Sequence, residues 1–154
     1  MKIAIISDTH GSIESVISSL KEQKIDLILH LGDYAVDGAK IQDRINIDTI
    51  IVRGNNDWGS QEPLEQILEV RDHRVLMLHG HKYNVYFGTD RLYYHAKEEE
   101  CDMVFYGHTH AYLDENNGDI RIVNPGSPSL PRGDGRRSYL IWNTENDEIK
   151  RILL

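Results

Sequence analysis

Two carboxylates, four imidazoles and one amide in this chain have the types and settings of metal ligands: Asp8, Asp33, His10, His79, His108, His110 and Asn55. Each follows closely on a short apolar run. Ile3-Ala4-Ile5-Ile6 leads to Asp8-Thr9-His10, Leu27-Ile28-Leu29 to Gly32-Asp33, and Ile50-Ile51-Val52 to Gly54-Asn55-Asn56-Asp57. Val75-Leu76-Met77-Leu78 ends in His79-Gly80-His81, and Met103-Val104-Phe105-Tyr106 in Gly107-His108-Thr109-His110. The Asp8/His10 and His108/His110 pairs are two residues apart, which puts both side chains on one side of an extended segment. So many ligands exceed a single tetrahedral zinc and suit two ions sharing a bridging carboxylate. Such a pair, about 3.5–4 Å apart, acidifies a shared water and neutralises charge on a phosphoryl oxygen. Two divalent ions against two carboxylates and a hydroxide leave one positive charge, which a phosphodiester monoanion neutralises and a monoester dianion exceeds.

Residues from distant parts of the chain meet at one point when they lie beyond the carboxyl ends of neighbouring strands, the usual ligand position in open α/β sheets. The apolar runs are therefore read as strands. Between them, Ile13, Val16, Ile17 and Leu20 repeat at helical spacing, with Ser12 placed as the cap and Glu14 in the first turn. A short helix is expected from Ala39 to Ile45, where parallel strands need a crossover. Ile67 to Val70 and Arg74 to Leu78 read as strands around the Arg71-Asp72-His73 turn, and Thr89 to Glu100 as a helix packing Leu92, Tyr93 and Ala96. Tyr112 to Asp114, Ile120 to Val123, Ser138 to Trp142 and Glu148 to Leu154 alternate as strands. They suggest a meander forming a second sheet against the first. Pro125 to Gly135 is a long loop of the kind that often carries function.

At 154 residues the chain is read as one domain, residues 1–154, with enough length to bury a core without disulfides. A net charge of −8 argues against gripping long nucleic acid. The single Cys101 fits a reducing compartment and is read as core. With no run of roughly 18 apolar residues and no leader pattern, a cytoplasmic protein without membrane contact is expected, and a homo-oligomer is compatible with the sequence.

The order Asp-x-His, Gly-Asp, Gly-Asn-x-Asp, His-Gly-His, Gly-His-x-His resembles the calcineurin-like metallophosphoesterase superfamily across essentially the whole chain. Asn124-Pro125-Gly126-Ser127 and Leu130-Pro131-Arg132 look like its compact bacterial and archaeal phosphodiesterase branch. The resemblance implies an α/β fold of two mixed sheets packed as a sandwich and flanked by helices. It implies that Asp8, His10 and His110 hold a first metal, that Asp33 bridges, and that Asn55, His79 and His108 hold a second. Mn²⁺ is favoured by the family, while the mixed nitrogen and oxygen ligands also admit Fe²⁺, Ni²⁺ or Zn²⁺. Many members carry a His where this chain has Asn56, and an amide cannot protonate a leaving group.

The expected activity is a dinuclear metal-dependent phosphodiesterase in which hydroxide attacks the phosphorus of a small diester. His81, Asn56 and Asp57 are the candidate catalytic residues outside the ligand set. His81 is placed to contact phosphate, supply a proton or hydrogen-bond within its loop, and Asp57 to hold its own turn or orient a neighbour. Tyr34 is a candidate site wall and Arg132 a candidate for an anionic substrate, whereas Arg136 and Arg137 read as solvated surface. His30, His73 and His95 are read as structural. The alternatives are a phosphomonoesterase or nucleotide phosphatase on the same site, and a non-catalytic protein-binding scaffold like the small retromer subunit.

Overall fold

The computed structural model describes residues 1–154. Its first sheet has the order β10-β9-β1-β2-β3, built from β1 (Lys2–Ile6), β2 (Leu27–His30), β3 (Thr49–Ile51), β9 (Ser138–Asn143) and β10 (Glu148–Leu153). The second has the order β4-β5-β6-β8-β7, from β4 (Glu65–Val70), β5 (His73–Leu78), β6 (Met103–Phe105), β7 (Tyr112–Asn117) and β8 (Ile120–Pro125). Three helices complete it: α1 (Glu14–Lys21), α2 (Ala35–Ile45) and α3 (Asp90–Glu98).

Alternation along the strands explains why the layers stack as α/β/β/α. On β1, Ile3 and Ile5 join Val75, Met77, Phe105, Leu140 and Trp142 in the core between the sheets. Ala4 and Ile6 point the other way, against Val16, Ile17 and Leu20 of α1 and Ile41 of α2. The same period on β5 and β6 sends Leu76, Leu78 and Val104 outward onto Leu92 and Ala96 of α3, where Cys101 is also buried. Strands buried on both faces need continuous apolar sequence, which is what the runs supply. No helix is long and apolar enough to cross a membrane.

Several local expectations are corrected. Ser12 does not cap α1: Ile13 holds the N-cap position and no side chain bonds there, so Glu14 at the first turn and Lys21 at the last meet the helix dipole instead. The second helix begins at Ala35, four residues before the expected start, because Tyr34 enters it from a left-handed conformation, φ 70°. Asn46, φ 55°, ends it with its backbone N–H on the Gln42 carbonyl. The final four strands are not one meander. β7 and β8 form a hairpin on the second sheet, whereas β9 returns to pair antiparallel with β1 and carries β10 with it. Ile141 and Tyr139 of β9 can then pack on α1, a partner the local pattern does not specify.

Strands β1, β2 and β3 are mutually parallel, as are β5, β6 and β8. The loops that leave their carboxyl ends carry every candidate ligand.

Candidate metal centre

Asp8, His10, Asp33 and His110 place ligand atoms all within 4.8 Å of one another. His10 Nε2 lies 3.2 Å from His110 Nε2 and 3.8 Å from Asp33 Oδ2, and His110 Nε2 lies 3.2 Å from Asp8 Oδ1. On the far side of Asp33, His79 Nε2 is 3.3 Å from Asp33 Oδ1 and 3.3 Å from His108 Nδ1. Asp33 thus stands between two groups of imidazoles.

The backbone is bent to aim these side chains. Asp8, His10, Asp33, His108 and His110 all adopt positive φ, from 46° at His10 to 67° at His108. Asp and His tolerate the left-handed region better than most residues, and such strain clusters at functional sites. Two glycines are required for space instead. A Cβ on Gly54 would lie 2.2 Å from Asp33 Oδ1, and one on Gly107 1.9 Å from Ser7 Oγ and 2.7 Å from Asp8 Oδ2.

The hydrogen bonds direct lone pairs inward. His79 Nδ1 donates to the Leu31 carbonyl at 2.8 Å and His110 Nδ1 to the Leu130 carbonyl at 2.7 Å. A carbonyl only accepts, so both rings present an unprotonated Nε2 to the centre when neutral. The His108 N–H donates to Asp8 Oδ2 at 3.0 Å, while Asp8 Oδ1 is buried with no hydrogen-bond partner. A buried carboxylate oxygen facing imidazole nitrogens without a hydrogen-bond partner of its own is the arrangement a cation completes, and this donor set fits divalent metals. Burial drives the Asp8 carboxyl up, but the His110 contact and the charges of His79 and His110 outweigh it and hold the carboxyl below its usual range. Burial also lowers the His110 imidazole, and the contact with Asp8 overrides it upward. His108 is pushed down to about 4 by burial and then by the charge of His79, which keeps its ring neutral and able to ligate.

The other candidates have distinct settings. Asn55 is exposed and makes no side-chain hydrogen bond. Asn56 instead grips Asp33 twice, its backbone N–H to Oδ1 at 2.9 Å and its amide Nδ2 to Oδ2 at 2.6 Å. Asp57 accepts from the Gly54 N–H at 2.7 Å and the Ala35 N–H at 2.6 Å, tying its turn to the start of α2. His81 stands with its ring 5.6 Å from that of His79 and 6.2 Å from that of His108. Its Nδ1 is buried without a partner. Tyr34 packs its ring 5.1 Å from that of His10.

Residues read from the sequence as neither ligands nor catalytic groups support the cluster from behind. Ser127 and Ser129 donate to the Asp8 carbonyl at 2.8 and 3.1 Å, and Ser127 accepts the Leu130 N–H, which fixes the carbonyl that orients His110. His30 is fully buried, accepts from the Gly32 N–H and faces Thr9 Oγ1 at 3.2 Å; burial takes it down to about 4. It braces the Asp8 and Asp33 loops together without reaching the centre. His73 pairs with Asp102 and Asp147, and His95 with Glu65.

Residues 1–147 match the sequence pattern of the calcineurin-like phosphoesterase superfamily domain. The chain belongs to this family. It is 32% identical over 151 residues to the probable metallophosphoesterase YsnB of Bacillus subtilis, spanning 96% of this chain and 86% of that one. Phosphodiesterase YfcE of Escherichia coli K12 is 31% identical over 180 residues, spanning 100% of this chain and 92% of that protein. The fold is also that of wild-type Vps29 of Entamoeba histolytica, solved in complex with Zn²⁺, with a TM-score of 0.83 over 99% of each chain at 17% identity. Membership makes this chain a metal-dependent phosphoesterase of the phosphodiesterase type, with Asp8, His10, Asp33 and His110 as a candidate metal site.

Proposed function

We propose that this phosphoesterase is a dinuclear enzyme that hydrolyses small phosphodiesters. The observation that carries the reading is the placement of Asp33, with Oδ2 3.8 Å from His10 Nε2 and Oδ1 3.3 Å from His79 Nε2. Asp8, His10 and His110 would hold one ion and His79, His108 and Asn55 the other, with Asp33 between them. When bound, two divalent ions supply an acidified water as nucleophile and neutralise charge on the phosphoryl oxygens. The chain's own residues hold and orient. Leu31 and Leu130 carbonyls fix two imidazoles, Asn56 fixes both oxygens of Asp33, and Asp57 fixes the turn that presents Asn55 and Asn56. His81 is assigned to the substrate phosphate on its place beside His79 and His108. Mn²⁺ is the proposed metal, and the single buried cysteine suits a cytoplasmic setting.

The test uses bis(p-nitrophenyl) phosphate and elemental analysis. Wild type should bind two ions per chain, lose activity on exhaustive chelation and regain most with Mn²⁺. Asp33→Asn should lower activity about 10²-fold and bind fewer ions, with Asn55→Ala less damaging because it touches one ion. Undiminished turnover in chelated protein shown to be free of metal would sink the reading. The fold it shares with Vps29 keeps a protein-binding scaffold as the second reading. That reading predicts no turnover of any phosphoester at full metal occupancy.

A further inference from the structure

A cleft of 790 Å³ opens beside the metal centre, between β7 and the single 3-10 turn Val85–Phe87. None of the roles above uses it. Tyr86, Phe87, Tyr106 and Tyr112 contribute rings to its lining, and Thr89 and Glu115 contribute polar groups. Phe87 is 87% exposed and Tyr86 54%, so large rings are held in water at the edge of a catalytic site. Single exposed apolar side chains are ordinary, but here they share one concavity whose volume falls in the range of about 300–1,000 Å³ typical of small-molecule sites.

The cleft is wired to the centre. Thr109, between His108 and His110, lines it. The Arg132 backbone N–H donates to the His110 carbonyl at 2.9 Å, Arg132 Nη1 donates to the Tyr86 hydroxyl at 2.9 Å, and that hydroxyl donates to the His108 carbonyl at 3.0 Å. Arg132 has no carboxylate partner, and its side-chain bond is to the Tyr86 hydroxyl. A guanidinium left free at the mouth complements an anion entering the centre. Glu115, also on the lining, takes the Thr89 hydroxyl on Oε1 at 2.6 Å and keeps Oε2 available to a donor.

We propose that this cleft is a specificity subsite for one ester arm of the diester, and that the arm carries a heteroaromatic ring of nucleoside size. The ring stacks on Tyr86 and Phe87, its N–H edge meets Glu115, and Arg132 guides the phosphate toward the centre. The proposal rests on the phosphodiesterase reading and adds the class of substrate. A plain alkyl arm would leave the rings and Glu115 unused.

Two diesters separate the possibilities: thymidine 5′-p-nitrophenyl phosphate and ethyl p-nitrophenyl phosphate. Both are monoanions with a primary alkyl spectator arm, and in both water replaces p-nitrophenolate at phosphorus, so their intrinsic reactivities match. Stacking of a base on an aromatic side chain predicts a kcat/KM ratio of roughly tenfold or more in favour of the thymidine ester in wild type. In Phe87→Ala and in Glu115→Gln the ratio should fall severalfold, and the ratio cancels damage common to both substrates. A second readout needs no turnover: titrating thymidine 5′-monophosphate into zinc-loaded protein should shift the amide resonances of Gly88, Thr89 and Ala111. A wild-type ratio near one, or an unchanged ratio in both variants, would overturn the subsite. If neither ester is hydrolysed, the phosphodiesterase reading fails, and the subsite then stands or falls on whether those amides shift.

Discussion

Asn56 and Asn55 are neighbours of one residue type, yet their amides do different work. Both oxygens of Asp33 accept from Asn56, so the carboxylate that separates the two imidazole groups is held in place by that residue's backbone N–H and side-chain amide. Partners of this kind are typically worth 10–100-fold in metal affinity. Asn56→Ala should therefore weaken metal binding by about that factor, measured by competition with a chelating dye. Unchanged affinity would mean that the backbone N–H of residue 56, which the variant keeps, is enough to orient Asp33. The leaving group is a separate matter. With no imidazole at position 56, rates across aryl diesters should depend steeply on leaving-group pKa, since general acid help is worth roughly 10²–10⁴-fold where it exists. Asn56→His should flatten that slope and help poor leaving groups most, provided metal stoichiometry is retained. An equally steep slope in the variant would remove position 56 from the leaving-group side, and a steeper one in His81→Ala would move the proton to His81.

Far from the centre, His73 at the start of β5 joins three parts of the sandwich. Its Nδ1 bonds Asp102, just before β6, at 2.7 Å, its Nε2 bonds Asp147, in the turn between β9 and β10, at 3.0 Å, and its ring meets Trp142 edge-on at 5.6 Å. Burial lowers the imidazole, but the two carboxylates outweigh it and raise its pKa above the ordinary value. A raised folded-state pKa means stability that is fully present below the unfolded value, about 6.5, and lost as pH rises through the higher folded value. Both carboxylates are about half exposed, so solvent screens the effect. The Tm difference between wild type and His73→Gln should be largest near pH 6 and shrink toward about pH 9. A difference that stays flat across that window would assign the role of His73 to packing on Trp142. The bidentate Arg44–Glu14 pair, which ties α2 to α1, is exposed and should leave no comparable pH signature in this window.

For the molecule as a whole, the metal centre is also where the two sheets are clasped, because its ligands come from loops after β1 and β2 on one side and β5 and β6 on the other. Metal that binds the folded chain alone stabilises it by about 2.7 kcal/mol at a hundredfold excess over Kd. Chelation should accordingly lower Tm by several degrees, and Asp33→Asn should shrink that response. An identical Tm with and without metal would show that the ions do not bridge the sheets. The sequence by itself determined the parts of this design that are local: five apolar runs, the ligands that follow each one, and the two-residue spacing of the paired ligands. Those features are local because a strand and the turn after it are encoded within a few residues. Tertiary structure decided the rest. Whether β9 and β10 would join β1 or follow β8 depended on which apolar face needed covering, and the alternation of Ser138 to Trp142 suits either sheet. The carbonyls of Leu31 and Leu130 orient two ligands, yet a backbone acceptor leaves no mark in the sequence. Asn56 could be seen only as an absent histidine until the fold brought Asp33, 23 residues earlier, into contact with it. The cleft beside the centre likewise exists because the 3-10 turn and β7 are apposed in space while lying more than twenty residues apart in the chain.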